Sequence, residues 1–244
     1  MFPTWIHILS VVTLATGFVC ASVVLFDVWR HPPHMGIMAA VWPATALFGG
    51  PAVLWLYFRY GRLNTHAATH EAMGRGVEPP AKSATPFAVI VAKGALHCGS
   101  GCAIGDILAE WLAFLAPTVA VWFGWHSLFC DKMYAVWILD FVFAFLLGIV
   151  FQYLTIKPMR NLSPLEGLVA ALKADTLSLT AWQVGMYGFM AFAQLYLFGK
   201  LLGHRAEVDT TEFWFVMQVA MLCGFATSYP VNLWLVRAGL KEAM

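Results

Sequence analysis

The sequence predicts an all-α integral membrane protein with six transmembrane helices. Hydrophobic residues make up 61% of the 244 positions and charged residues 11%, whereas soluble domains average about 45–50% and about 25%. A helix needs about 20 apolar residues to cross the hydrocarbon core of a bilayer. Six stretches have this length and character: residues 5–28, 36–58, 95–114, 135–156, 175–197 and 213–236. The lipid bilayer is the first predicted partner, and a net charge of +1 without a basic patch gives no reason to expect nucleic-acid binding.

Lysine and arginine predict the orientation of these six helices. Ten of the fourteen fall in segments on one side, and Arg30, Lys132, Lys200 and Arg205 fall on the other. Because positive residues collect on the cytoplasmic side, we expect both termini in the cytoplasm. The start of the chain, MFPTWIH, lacks the charged region of a cleavable signal, so the first helix is expected to remain.

The first two predicted helices differ from the rest of the chain. Within residues 1–59 they form a transmembrane hairpin with almost no polar side chains at mid-membrane depth, and we interpret this hairpin as an accessory for packing or partner binding. Residues 60–86 mix charges, glycine and proline, a composition typical of loops. We predict a cytoplasmic linker there, followed by a four-helix transmembrane domain over residues 87–244.

The third predicted helix is too long for a simple crossing. Residues 87–123 stay apolar for 37 positions, whereas a core of about 30 Å is crossed at about 1.5 Å per residue. Gly99, Ser100 and Gly101 interrupt this stretch, and each glycine costs a helix interior roughly 1 kcal/mol. We therefore predict a broken helix, with arms over residues 87–98 and 102–117.

The last three predicted helices each carry small or polar residues along one face. Asp140 and Gln152 share a face of the fourth helix, and Asp175 and Gln183 lie on one broad face of the fifth. Small residues let membrane helices approach closely, and amides and carboxylates hydrogen-bond across the contact. We expect these helices to join the broken one in a compact C-terminal four-helix bundle with a polar interior.

The segment HCGSGC carries the strongest candidate for ligand chemistry. Thiolates and imidazole bind zinc(II), and thiolates with a thioether suit copper(I). In an unbroken helix His97 and Cys102 would point about 140° apart, whereas a turn at residues 99–101 would bring His97, Cys98 and Cys102 around one ion. Met186 of the fifth helix is a further candidate ligand. The alternative is a notch of small residues and free thiols that only serves close helix packing.

Five further polar residues form a candidate relay. They are Asp106, Glu110, Asp140, Asp175 and Gln183. Ionisable groups inside a membrane usually face the bundle interior and mark ion or proton pathways. Alternatively, some of them are protonated, hydrogen-bonded structural groups, and this is the favoured interpretation of Asp140 and Asp175 because they lie near the starts of their helices.

One resemblance adds to these observations. The stretches HCGSGCAIGDILAEW, WILDFVFAFLLGIVFQYLTIKPM and ALKADTLSLTAWQVGMYGFM resemble a bacterial and archaeal membrane family known as domain of unknown function 4396, over roughly residues 84–237. The resemblance implies a multi-pass membrane fold but no transferable activity. Its signature here would comprise His97, Cys98, Cys102, Gly105, Asp106, Asp140, Gln152, Met159, Asp175, Gln183 and Met186.

We predict a multi-pass protein of the bacterial inner membrane that binds a soft metal ion, copper first and zinc second, for transport or delivery. Two alternatives remain open. One is an accessory or assembly subunit of a larger membrane complex or homo-oligomer, and the other is a membrane thiol redox protein that uses Cys98 and Cys102. The sequence contains no P-loop, no G-x-S-x-G, no H-E-x-x-H and no dinucleotide fingerprint, which does not favour an enzyme.

Overall fold

The computed structural model describes residues 2–241, and these residues form helices and connecting loops without a β-strand. The α-helices are α1 Thr4–Arg30, α2 Met38–Leu56, α3 His66–Gly74, α4 Pro80–Ser83, α5 Phe87–Leu115, α6 Thr118–Trp122, α7 Lys132–Arg160, α8 Pro164–Ala191 and α9 Thr211–Arg237. A π-helical turn at Tyr57–Gly61 and a short 3₁₀-helix at Arg62–Asn64 extend α2, and a π-helix at Phe192–Leu202 extends α8.

The prediction of a multi-pass, all-helical membrane protein is confirmed. Within the described part of the chain, five helices are long and apolar enough to cross a bilayer. They are Thr4–Arg30, Met38–Asn64, Phe87–Leu115, Lys132–Arg160 and Thr211–Arg237. Helix α8 does not meet the same criterion, and it carries three charged residues within its first twelve positions.

Close backbone contacts hold α5, α7, α8 and α9 together. A Cβ atom added to Gly105 of α5 would lie 2.6 Å from the backbone nitrogen of Ala144 in α7. One added to Gly185 of α8 would lie 2.7 Å from the carbonyl oxygen of Cys223 in α9. Neither position tolerates a side chain without movement of the neighbouring helix. Small residues therefore set the spacing of this bundle, as in other membrane helix pairs.

The bundle has two distinct ends, which we call the Lys241 end and the Glu212 end. Helices α5 and α8 start at the Lys241 end, where the hydroxyl of Tyr229 near the end of α9 donates to the carbonyl oxygen of Ala88 at 3.3 Å. Helices α1 and α9 both start at the Glu212 end, where Nδ1 of His7 lies 2.8 Å from Glu212 Oε1. The first and last helices therefore run in the same direction.

Helix α2 folds back on itself instead of running the length of the bundle. Gly50 has φ 50° and ψ −133°, a backbone conformation that divides the helix into two arms. Pro33 and Thr65, at the two ends of this unit, form a β-bridge. The hydroxyl of Tyr57 on the second arm donates to Asp27 Oδ2 of α1 at 2.7 Å. Residues 38–64 are thus a re-entrant hairpin, the α2 hairpin, with both ends at the Lys241 end.

This hairpin bears on the predicted topology. The expectations that residues 36–58 cross the membrane and that both termini share one side are not confirmed, because α1 runs between the two ends once and the α2 hairpin returns to the end from which it starts. The described chain starts at the Glu212 end and finishes at the Lys241 end. The local cause is the Gly49-Gly50-Pro51 sequence, where glycine permits a positive φ and proline removes a backbone donor. Apolar content alone does not reveal such a reversal.

Contacts with α1 and α9 pair a backbone carbonyl at the tip of the α2 hairpin. The side-chain amide of Gln218 donates to the carbonyl oxygen of Leu47 at 2.7 Å. Gly17 makes room for this carbonyl, since a Cβ atom there would lie 2.4 Å from its oxygen. Irregular backbone at membrane depth is tolerated where it is buried in protein, and these two contacts meet that condition.

Helix α5 is continuous, so the predicted break at residues 99–101 is wrong. Its glycines serve close packing instead. The indole ring of Trp182 lies where the Cβ atom of residue 99 would be, 2.1 Å from that position, and the Cα atom of Gly148 lies 2.9 Å from the corresponding position at Gly101. In lipid, a broken helix leaves backbone groups unpaired, which outweighs the modest cost of glycine in a helix. The excess apolar length is taken up by a separate short helix, α6.

Candidate functional site

The unbroken α5 carries a continuous row of two thiols and two carboxyl groups at four-residue spacing, which we call the stripe. Cys98, Cys102, Asp106 and Glu110 follow one another on one face, each about 6 Å further along the axis. The first three are fully buried and Glu110 is 6% exposed. The other predicted site residues, listed here together, are also buried: His97, Asp140, Asp175, Gln183 and Met186. This burial agrees with polar groups that face a bundle interior, while the roles assigned to them stay predictions.

At the Lys241 end, an ion pair closes the stripe. The ammonium Nζ of Lys241 lies 2.8 Å from Asp175 Oδ1, and both side chains are completely buried. Burial alone lowers the pKa of Lys241, but the Asp175 carboxylate beside it and its hydrogen bond raise the pKa above the ordinary value. The ammonium therefore remains charged at neutral pH. From the sequence alone, Lys241 is only one of the positive residues that follow the last predicted helix.

A hydrogen-bonded group surrounds this ion pair. The hydroxyl of Ser178 donates to Cys98 Sγ at 3.3 Å, and the Asn232 amide donates to Ser178 Oγ at 2.7 Å. Oδ2 of Asp175 and Oδ1 of Asn232 have no hydrogen-bond partner. We call Cys98, Asp175, Ser178, Asn232 and Lys241 the inner polar cluster. Serine and asparagine in a membrane helix are weak signals in a sequence, and neither was predicted.

His97 points away from this cluster. Its Nε2 lies 3.5 Å from the Thr155 hydroxyl of α7, and its Nδ1 has no partner. Cys98 instead faces Ser178 of α8. Because α5 does not turn at residues 99–101, the predicted convergence of His97 with the two thiols is not formed. Within residues 2–241, no group of three or more His, Cys, Asp and Glu side chains is placed to hold a metal ion.

Further along the stripe lies a cluster of carboxyl groups, which we call the carboxylate cluster: Asp106, Glu110 and Asp140. The side-chain oxygens of Asp140 have no hydrogen-bond partner, and the neighbour of Asp106 is the side-chain amide of Gln183 on α8. The electrostatic interactions among the three carboxyl groups are repulsive. Such a group must share protons or bind a cation, because several buried negative charges at short distance are strongly unfavourable.

At the Glu212 end, the stripe meets a polar cavity of about 140 Å³. Glu110 lines this cavity together with Lys132 and Glu207. Asp131 and Arg205 form an ion pair at its edge. Burial alone raises the pKa of Asp131. The hydrogen bonds that its carboxylate accepts and the positive charge of Arg205 together outweigh burial, so the pKa lies below its usual value. The cavity gives Glu110 a route to the surface.

These groups form one polar column through the bundle, from Glu110 through Asp106 and the two thiols to Lys241. Several buried atoms in the column or on its neighbouring helices form no hydrogen bond: both oxygens of Asp140, Asn232 Oδ1, His97 Nδ1 and both amide atoms of Gln152. Buried polar atoms in folded proteins nearly always have partners, and each exception points to a water, an ion or a functional role. The arrangement is therefore suited to pass or bind a cation.

A second cavity lies on the other side of α5. It measures about 330 Å³ and is lined almost entirely by apolar side chains, including Phe18, Phe48, Ile107, Trp111 and Trp214. It sits beyond the tip of the α2 hairpin, where Leu47 and Phe48 contribute to its wall. The hairpin reaches only part of the way along the bundle, and the cavity occupies the space that a full crossing would fill.

The comparison with protein families covers the part of the chain that holds the column. A family model described as "Domain of unknown function (DUF4396)" matches residues 89–241. This range contains α7, α8, α9 and nearly all of α5, and it leaves out α1 and the α2 hairpin. No curated protein and no solved structure matches the chain.

Proposed function

This chain belongs to the DUF4396 family, and we propose that it moves a soft cation across the membrane along the polar column, copper(I) first and zinc(II) second. The observation that carries this proposal is the column itself. It joins fully buried thiols and carboxyl groups on a single helix face and ends in a polar cavity. A purely structural bundle would gain stability from apolar residues at these positions.

The order of ligand types supports a soft cargo. Cys98 and Cys102 lie one helical turn apart at the centre of α5, and Met186 is a buried side chain of α8. Thiolate and thioether ligands favour copper(I), and thiolates also bind zinc(II). The carboxylate cluster lies between these thiols and the cavity at the Glu212 end. We assign it the task of attracting the cation and exchanging protons as the cation passes.

The thiol redox alternative has less support. Disulfide exchange requires a thiolate that another thiol can reach, and Cys98 and Cys102 are both fully buried. The subunit alternative rests on a different observation. Only 22% of the apolar window of α1 is buried within the protein, so α1 presents a wide face to lipid or to a partner helix. Stoichiometric co-purification of a second membrane protein would favour that role.

We further propose that the protein lies in the bacterial inner membrane with five complete crossings, by α1, α5, α7, α8 and α9. Helix α8 with its π-helical extension is the crossing that hydropathy alone misses. With the α2 hairpin folded back, only Lys132, Lys200 and Arg205 lie toward the Glu212 end, and the other eleven of the fourteen lysines and arginines lie toward the Lys241 end. The positive-inside rule then assigns the Lys241 end to the cytoplasm.

Metal content and uptake test the transport function. The full chain, purified after growth with added copper and zinc, is analysed for bound metal and then reconstituted into vesicles for copper(I) uptake measurements. Cys98→Ser and Cys102→Ser should each lower uptake by about tenfold or more, the size of effect seen when metal-site residues are altered. Cys223→Ser is the matched control, because this thiol lies on α9 outside the column, and it should leave uptake unchanged. Wild-type protein that neither binds nor moves copper or zinc would refute the proposal.

A further inference from the structure

We infer that the ammonium group of Lys241 is a tethered substitute for a univalent cation, and that it occupies a cation site formed by Asp175, Cys98 and Asn232. This inference deepens the proposed function and rests on it for the identity of the cargo. It adds a site, the charge of the ion that the site accepts, and the segment that must move before the ion can bind.

The chain after α9 is shaped to deliver Lys241 into the bundle. Gly239 has φ 68°, the left-handed conformation that ends many helices. The backbone N–H of Leu240 donates to the carbonyl oxygen of Leu235 at 2.9 Å, and that of Gly239 donates to Val236 at 3.1 Å. This turn reverses the chain direction, so that the Lys241 side chain enters the interior while its neighbour Leu240 stays exposed.

The position of Lys241 is not explained by stability alone. Removing a lysine and an aspartate from water costs several kcal/mol per ion, and apolar side chains of similar volume often serve a core equally well or better. An apolar side chain such as Leu240 could anchor the segment after α9, but the Leu240 side chain is exposed. We therefore attribute the buried ammonium to the function of its site and not to stability.

The surroundings of the ammonium are those of a cation site. Asp175 holds Lys241 through Oδ1, while its Oδ2 has no partner. Oδ1 of Asn232 is also without a partner, and both side chains are fully buried. Asn232 and Cys98 are joined through the hydroxyl of Ser178. We therefore assign the Asp175 carboxylate, the Cys98 sulfur beside it and the Asn232 amide oxygen to an ion that takes the place of the ammonium.

The charge balance selects a univalent ion. The inner polar cluster pairs one carboxylate with one ammonium, so exchanging Lys241 for an ion of charge +1 leaves the buried charge unchanged. An ion of charge +2 would leave an excess positive charge in a medium of low dielectric constant, which is strongly unfavourable unless a thiol also loses its proton. The site is therefore expected to prefer copper(I) or silver(I) to zinc(II).

Silver(I) binding to the full chain tests this inference, because silver(I) is a stable univalent ion with the ligand preferences of copper(I). Lys241→Met removes the tethered charge and should raise the affinity for silver(I) by about tenfold or more, with no comparable gain for zinc(II). Lys173→Met is the matched control, since it removes an exposed lysine near the same end, and it should not change the affinity. The double variant Lys241→Met with Asp175→Asn should lose the gain.

The outcomes separate this inference from the transport function. Unchanged silver(I) affinity in Lys241→Met, or a gain that persists in the double variant, would overturn it. If Lys241→Met does not fold, hydrogen exchange on the wild-type chain decides: silver(I) should speed exchange at residues 238–241, and unchanged exchange would overturn the inference. A gain in binding without any copper(I) uptake would instead refute transport and leave the site in place. If the wild type takes up copper(I) but Lys241→Met does not change silver(I) binding, this inference is overturned and transport is left in place.

Discussion

The two faces of α5 differ as strongly as two surfaces of one helix can. One face carries Cys98, Asp106 and Glu110 into the polar column, and the other carries Ile107 and Trp111 into the apolar cavity. Both faces lie at the same depth in the bundle, so depth does not determine their chemistry. The two faces differ in the element that packs against them. The polar face packs against the full-length helices α7 and α8, whereas the apolar face borders a cavity at the tip of the α2 hairpin.

This difference teaches where a membrane protein can keep ionisable groups. The carboxyl groups of α5 are enclosed by α7 and α8, whose own polar side chains share the site. The walls of the apolar cavity include exposed apolar side chains such as those of Phe18 and Trp111. A charge facing lipid costs roughly 3 kcal/mol on insertion scales, and one inside the column avoids most of that cost.

Moving a carboxyl group from one face to the other should have the largest effect. Ile107→Asp places an acid in the apolar cavity, one position from the natural Asp106, and should destabilise the fold by about 3 kcal/mol. Unfolding in detergent, followed by circular dichroism, measures this change. Ile107→Asn is the control for polarity without full charge and should cost less. A stable Ile107→Asp protein would show that the two faces are not energetically distinct.

Removing a carboxyl group from the column should change stability little but reduce uptake strongly. Asp106→Asn keeps the shape of the side chain and relieves repulsion within the carboxylate cluster, so stability should change by less than about 1 kcal/mol. Copper(I) uptake in vesicles should nevertheless fall about tenfold or more, because a ligand or relay group is lost. Asp209→Asn, which alters an acidic residue in the loop before α9, serves as the control. Equal uptake by Asp106→Asn and the wild type would remove Asp106 from the pathway.

The turn that limits the α2 hairpin offers a smaller effect. Gly50 has φ 50° and ψ −133°, a region that residues other than glycine rarely adopt, so Gly50→Ala should destabilise the protein by about 1–3 kcal/mol. Gly188→Ala is the matched control, because Gly188 lies within α8 and a Cβ atom there meets nothing within 4 Å. That variant should be neutral or stabilising by about 0.5–1 kcal/mol. Thermal unfolding of both variants measures the difference, and equal effects would contradict the turn.

The smallest effect is expected at the mouth of the column, where the Asp131–Arg205 ion pair is partly exposed. Exposed pairs contribute about 0–1 kcal/mol, so Asp131→Asn should cost no more than that at neutral pH. The pKa of Asp131 is lowered in the folded protein, so its contribution is present above its unfolded pKa and is lost as the pH falls through its folded pKa. Unfolding measured at pH 7 and in acid should show the difference shrinking. A difference that grows in acid would contradict the ion pair.

The burial of the candidate residues could be predicted from the sequence, because period and composition report which residues face a bundle interior. Cys98, Asp106 and Glu110 of α5 and the polar residues of α7 and α8 are all buried, while their roles stay predictions. The break in α5 was wrongly predicted because glycine was weighed as a helix breaker. In this bundle Gly99 and Gly101 instead admit Trp182 and Gly148, and a sequence does not show which neighbour a glycine will meet.

The α2 hairpin and the burial of Lys241 were both missed from the sequence for one reason, because each depends on a reversal of the backbone. Gly50 turns the α2 hairpin and Gly239 turns the chain after α9, and each reversal changes which side of the protein the following residues reach. Hydropathy treats the first as part of a crossing and the second as a tail. The pairing of Lys241 with Asp175 spans 66 positions, so no local pattern could predict it.

The α2 hairpin also places a constraint on the order of biosynthesis. The carbonyl oxygen of Leu47 finds its donor in Gln218, 171 positions later in the chain. Until the ribosome has made α9, this carbonyl has no such partner, and a bilayer offers it no water. The hairpin can therefore reach its final depth only after the last helix has been inserted, and a nascent chain that stops before α9 should hold residues 38–64 nearer the membrane surface.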